Sequence, residues 1–245
     1  MYNTKLSMPE QKGRDFKKIY DEQAQAFAKK APVLLTWEFI GKPALKEHLA
    51  SLFEKGKKAV MLDVGSASGR VVEFMVKNGI PARNITGVEI SPDQVEIAKK
   101  NVPGARFEVG DIRYFELPAS EYDGATVNMV LEFLDPEGLD QALGNIYQAM
   151  KPGSILVFNS THPGRVEGKY ELDSDHRGWF DTGGPWGGEF QNWHRSVNDY
   201  VEQTEAAGFS VEVVDELYMP ADIEAEHPEF KSFGAPARLV VVARK

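Results

Sequence analysis

The residues best suited to chemistry follow short apolar runs. Asp63, Gly65, Ala67 and Gly69 stand in DVGSASG, directly after the run AVML. Glycines at such a turn let backbone approach a ligand where a Cβ would collide, and a helix that follows offers free N–H groups. The dinucleotide fingerprint G-x-G-x-x-G would need glycine at 65, 67 and 70, whereas the chain has Gly65, Ala67 and Arg70. The looser D-x-G-x-G-x-G fails only at Ala67. Taken alone, the segment also reads as a tight strand-to-helix turn with no ligand. Glu89 closes the next apolar run, 24 residues after Gly65, where an acid can accept both hydroxyls of a ribose and repel a 2′-phosphate. Asp111 lies 22 residues beyond Glu89 in VGDI, placed to accept from an adenine amino group. Each acid alone reads equally as a solvated strand end or a helix cap. Three strand ends in succession carrying Asp/Gly, Glu and Asp point to an adenosine-containing ligand.

These residues need a scaffold that brings strand ends to one edge. Residues 59–64, 85–90, 106–109, 124–129 and 154–159 read as short strands, separated by helical patterns over 70–78, 92–100 and 139–150. That alternation specifies βαβ units, a parallel sheet and helices on both faces. Ser91 and Pro92 form the start signal of one helix; Ser196 and Asp199 form a capping box for another. Strands at 210–217 and 239–243, joined without a helix, predict an antiparallel pair. Two helices, over 9–30 and 43–55, precede the sheet. Between 163 and 193 the rhythm breaks: seven glycines and three of the four tryptophans fall there, which reads as a functional loop. The organisation is thus a helical cap (1–58), a Rossmann-like ligand-binding core (59–159), a loop insertion serving as lid (160–195) and a completion of the core (196–245). Histidine suits proton transfer near neutrality. His162 and His194 stand where the insertion begins and ends, as candidate bases or as loop-holding hydrogen-bond partners; His48, His176 and His227 read as surface residues.

Composition narrows the partners. With 28 basic and 37 acidic residues the net charge is −9, and such a chain lacks the footprint that binds nucleic acid. The absence of cysteine excludes disulfides, Cys-ligated zinc and thiol nucleophiles. Apolar runs fall far short of the roughly 20 residues that span a bilayer. A polar N-terminus without an apolar signal core predicts a cytoplasmic protein.

The segments VMLDVGSASG, TGVEISPDQVEIAKKN, FEVGDIRYFELP, YDGATVNMVLEFLD and QALGNIYQAMKPGSILVF together resemble the successive motifs of class I S-adenosylmethionine-dependent methyltransferases. The resemblance runs from about residue 20 to the C-terminus and departs at Ala67. It implies a seven-stranded, mostly parallel sheet with the last strand antiparallel. It also implies S-adenosylmethionine as cofactor and S-adenosylhomocysteine as product. Asp63, Gly65 and Ala67 would line the methionine moiety, Glu89 would hold the ribose, and Asp111 and Ile112 the adenine, with Ile90 also in the cofactor site. Asn128 would lie beside the sulfonium. Tyr20 and Trp37, with Phe27, would form a roof over that cation, or else belong to the core. Strand four runs on as NMVLE, without the Asn/Asp-Pro-Pro-aromatic sequence of relatives that methylate exocyclic or amide nitrogens. The expected acceptor is therefore a small metabolite, methylated on N or O, with Trp179, Trp186 and Trp193 stacking on a flat ring. A role in secondary metabolism and a monomeric or homodimeric state complete the expectation, with no metal, nucleic acid or membrane partner. An NAD-linked oxidoreductase, a non-catalytic binder of the same cofactor and an aminopropyl transferase of the same fold are the alternatives.

Overall fold

The computed structural model describes residues 16–30, 34–167, 177–183, 189–227 and 235–245. Helix α1 (Phe16–Lys30) comes first; residues 37–41 then form one turn of π-helix ahead of α2 (Lys42–His48) and α3 (Ala50–Lys55). The alternating part is β1 (Met61–Val64), α4 (Arg70–Lys77), β2 (Ile85–Glu89), α5 (Pro92–Asn101), β3 (Arg106–Val109), β4 (Tyr122–Asn128), α6 (Pro136–Ala149) and β5 (Met150–Thr161). There follow α7 (Gly164–Glu167), β6 (Gly178–Gly183), β7 (Glu189–His194), α8 (Val197–Ala206), β8 (Ser210–Leu217), α9 (Ala221–Glu226) and β9 (Arg238–Arg244).

Seven strands make one sheet in the order β3-β2-β1-β4-β5-β9-β8. Pairings among the first five are parallel, and β9 runs antiparallel to both β5 and β8. The reversal was expected, but the helix-free connection before it was not found: the short helix α9 lies between β8 and β9. Strand β1 is buried at every residue because both its faces are covered: Met61 enters one apolar layer, Leu62 and Val64 the other. Strand β5 divides the same way, Ile155 and Val157 against Leu156 and Phe158. Leu45, Leu49 and Leu52 of the N-terminal helices share the first layer with Met61 and Val157. No described helix is long and apolar enough to cross a membrane.

The capping signals act as read. Ser91 Oγ accepts from Gln94 N at 3.2 Å, and the Ser196–Asp199 capping box is reciprocal. Three further expectations change. The helix expected at 139–150 begins at Pro136, because Asp135 caps it through Gly138 N at 2.8 Å. The helix expected over 43–55 breaks at Leu49, whose φ and ψ of −96° and 6° leave the helical region. The largest change concerns the loop insertion at 160–195, which contains a two-stranded antiparallel hairpin, β6–β7, with Trp179 opposite Trp193.

Candidate active site

The turn after β1 is a run of left-handed residues: φ is +67° at Gly65, +45° at Ala67 and +86° at Gly69. A Cβ at Gly65 would stand 2.2 Å from Val130 Cγ2, so no other residue fits there. Ala67 adopts the sparse left-handed conformation despite its methyl, which costs on the order of 1 kcal/mol. Its N–H is held by the Glu89 carboxylate (Oε2) at 2.9 Å, while Oε1 accepts from Ser91 N at 2.9 Å. Glu89 therefore shapes the turn as well as facing the ligand site. Burial pushes its carboxyl above the usual range, against the lowering effect of the Ser91 and Ala67 N–H groups.

Asp63 lies beneath the turn, buried in the sheet. Thr126 Oγ1 donates to its Oδ1 at 2.7 Å, and Oδ2 has no hydrogen-bond partner. Burial raises its pKa to about 7, which Thr126 and Arg70 oppose and Glu89 reinforces. Asp111 turns toward Arg113, accepting from its backbone N–H at 3.0 Å and its guanidinium at 2.6 Å. Burial opposes those bonds, but they hold its carboxyl below the usual value. Ile112 is buried beside it, and Asn145 Nδ2 pins the Ile112 carbonyl at 2.8 Å. Ile90 follows Glu89 and is half-buried.

At the end of β4, Asn128 Oδ1 accepts from Asn159 Nδ2 at 2.7 Å, and Met129 adopts φ +61°. Helix α1 crosses above, tied to α5 by a Ser91–Asp21 hydrogen bond. Tyr20 packs edge-on against Phe27 and Phe133, and its hydroxyl pKa is raised by burial and then by Glu89 and Glu132. Trp37 is a core residue, wedged between Phe74 and the Arg70 guanidinium, which lies 4.5 Å from its ring centre. Its ring edge also reaches Gly41, close to Asn128.

A second group of residues lines a partly open cavity beyond β4 and β5: Glu132, Asn192, Trp193, His194, Arg195 and Tyr200 among them. Strand register puts Phe180, Asn192 and His194 on one face of the hairpin. Arg195 donates to the carbonyls of Leu131 (3.2 Å) and Leu134, clamping the turn that carries Glu132. Arg177, at the same open end of the hairpin, bonds Ser196 and Asp199 of the α8 cap. His194 is buried in this group. His162 differs: its Nδ1 accepts from Gly164 N at 3.1 Å, leaving Nε2 to donate to Glu216 at 2.7 Å. Both ring nitrogens are thus engaged in joining β5 to β8. Trp179 is buried and packs edge-on against Trp193 at 5.4 Å, a cross-strand pair in which only Trp193 borders the cavity. Trp186 and His176 lie outside the described residues. His48, expected at the surface, has a side chain only 12% exposed and paired with Asp215 at 3.3 Å; His227 is half-buried.

Glu132 and Arg195 escaped the sequence reading. An acid inside the apolar run VLEFL, just past a strand end, was the available signal for the first.

Residues 61–153 match the model of a methyltransferase domain. Those residues are a methyltransferase domain. A malonyl-[acyl-carrier protein] O-methyltransferase of Pectobacterium atrosepticum is 26% identical over 120 residues, covering 49% of this chain and 46% of that one. The chain thus spans about half the length of such curated relatives. An N-demethylindolmycin N-methyltransferase of Streptomyces griseus is 23% identical, over 79% of this chain and 88% of its own. Among solved structures, the 1,6-didemethyltoxoflavin-N1-methyltransferase of Burkholderia thailandensis has a TM-score of 0.62 and 17% identity, over 98% of this chain and 93% of its own. The [4+2]-cyclase SpnF scores 0.67 at 16% identity, over 98% and 99%. Both share the fold; they catalyse different reactions.

The residues of the methyltransferase domain fit its cofactor. Oδ2 of Asp63 is a buried acceptor without a partner, the Gly65 turn has no room for a Cβ, and each Glu89 oxygen keeps a lone pair beyond its backbone bond.

Proposed function

We propose that this protein transfers a methyl group from S-adenosylmethionine to N or O of a small-molecule acceptor. The observation that carries the proposal is the reach of helix α1: Asp21 bonds Ser91 beside Glu89 at the cofactor turn, and Tyr20 packs edge-on against Phe133, next to Glu132 of the aromatic-lined cavity. Helix α1 thus touches both the cofactor turn and the segment that borders the hairpin cavity. The bound cofactor supplies an activated methyl on a sulfonium, so the protein's task is alignment and exclusion of water. In this reading Asp63 accepts from the methionine ammonium, Glu89 from the ribose hydroxyls, and Ile112 with Ile90 flanks the adenine. Asp111 holds Arg113 and completes the adenine end. Tyr20 and Trp37 wall the sulfonium end beside Asn128. His194 takes the acceptor's proton, and His162 anchors the root of the hairpin rather than handling protons. Trp193 stacks on the acceptor, with Trp179 supporting it from the opposite strand. Relatives named for O- and for N-methylation support the class and leave both atoms within the proposal. A cytoplasmic place and a role in secondary metabolism belong to the same reading.

The test is calorimetric titration with S-adenosylhomocysteine, with NADH as control, followed by turnover of labelled cofactor against small planar acceptors. Wild-type protein is expected to bind only the first ligand. Glu89→Ala is expected to weaken that binding by roughly 30-fold or more, the scale of lost hydrogen bonds to a charged group. NADH binding without S-adenosylhomocysteine binding would revive the oxidoreductase alternative. Binding without turnover of any acceptor would leave a cofactor-binding protein.

A further inference from the structure

Three side chains that border the hairpin cavity each carry a polar atom with no hydrogen-bond partner: Glu132 Oε1, Arg195 Nε and Asn192 Oδ1. All three side chains are more than nine-tenths buried, with exposures of 3%, 2% and 6%. Leaving such groups unpaired is costly, and natural cores seldom do so without a role for them. Each of the three residues is fixed from elsewhere. The other Glu132 oxygen accepts from Ser160 Oγ at 3.2 Å, itself bonded to Tyr200 at 2.8 Å. Both terminal nitrogens of Arg195 are occupied by the carbonyls of Leu131 and Leu134. Asn192 is held in the hairpin register opposite Phe180. The side chains bordering the cavity thus offer, held in place, a carboxylate acceptor, a guanidinium N–H donor and an amide acceptor.

We infer that this pattern reads the acceptor, and that the acceptor is a planar heterocycle carrying a ring N–H beside a carbonyl. This rests on the methyl-transfer reading above. The N–H donates to Glu132 Oε1, the carbonyl accepts from Arg195 Nε–H, and a further N–H or O–H donates to Asn192 Oδ1. Phe180, Trp193, His194 and Tyr200 border the same cavity and supply the flat walls that a ring requires. A free carboxylate makes a poor ligand: it offers no hydrogen to Glu132 and brings a second negative charge against it. Glu132 and Arg195 are thus specificity-determining residues, selecting lactam-like acceptors over carboxylic acids.

Ligand-observed NMR on the full chain saturated with S-adenosylhomocysteine tests this. The probes are quinazolin-4(3H)-one, isatin and 2-pyridone, each beside its N-methyl derivative, together with benzoate. At least one N–H form is expected to bind saturably, about tenfold or more tighter than its N-methyl partner, with benzoate not binding. Glu132→Gln and Arg195→Met are each expected to remove that preference while S-adenosylhomocysteine still binds. No saturable binding by any N–H form, equal binding of the N-methyl forms or of benzoate, or a preference that survives both substitutions would overturn the inference. The wild-type comparison needs no variant, so a misfolded variant does not blunt the test. Failure of S-adenosylhomocysteine to bind the wild type would instead strike the methyl-transfer reading.

Discussion

Asp63 carries the most readily measured property of the site. Its carboxyl titrates near 7 in the folded protein, raised by burial from about 3.8. The folded state consequently keeps an extra proton between about pH 4 and pH 7, and this group's contribution to stability falls as pH rises through that window. The full shift corresponds to on the order of 4 kcal/mol. A cationic ammonium brought to Oδ2 favours the ionised form. Titration with S-adenosylhomocysteine at pH 6 is therefore expected to release protons, seen as a heat that varies with the ionisation enthalpy of the buffer. The release should vanish above pH 8 and in Asp63→Asn. Buffer-independent heat at pH 6 would place the ammonium elsewhere. The strand-end acids were legible in the sequence because their place after apolar runs is a local property. Glu132 was not, because its role depends on Arg195, 63 residues away in the chain and brought to it only by the hairpin.

Among the elements, the hairpin couples most directly to function. Its sequence hid it: glycines suppress strand propensity, and the alternation in GWFDTG and EFQNWH is short. The π-turn at 37–41 was equally unreadable, since WEFIG matches an ordinary helical pattern and only the packing of Trp37 against Phe74 distinguishes it. By contrast, the strands of the main sheet and the helix caps follow from periodicity and from side chains acting within three residues. Deleting residues 164–192 is expected to abolish turnover while sparing S-adenosylhomocysteine binding, because Asp63, Glu89 and Ile112 stand on other elements. Unchanged turnover by the deletant would remove the hairpin from the mechanism. Arg195→Met, which frees the carbonyls of Leu131 and Leu134, is expected to lower stability by about 2–4 kcal/mol in chemical denaturation. A loss below 0.5 kcal/mol, the scale of an unremarkable surface change, would mean the clamp contributes little.

At the scale of the molecule, one seven-stranded sheet carries the strand ends around which the functional residues gather, so unfolding is expected to be a single transition. S-adenosylhomocysteine at 100 times its dissociation constant should stabilise the fold by about 2.7 kcal/mol, raising the melting temperature by roughly 5–10 °C. Two separated transitions, only one of them moved by the ligand, would show that the hairpin side melts on its own. The topology was legible because parallel strands separated by helices admit few arrangements. The reversal of β9 was reached from an expected helix-free connection, although the short α9 occupies that connection. Strand order has a consequence for descent. The residues proposed to hold the methyl donor follow β1, β2 and β3, whereas the cavity residues follow β4 and β5 or belong to the hairpin and α8. A lineage built on this plan can exchange the molecule it recognises by rewriting one flank of β1, while the grip on the donor passes unaltered from ancestor to descendant on the other.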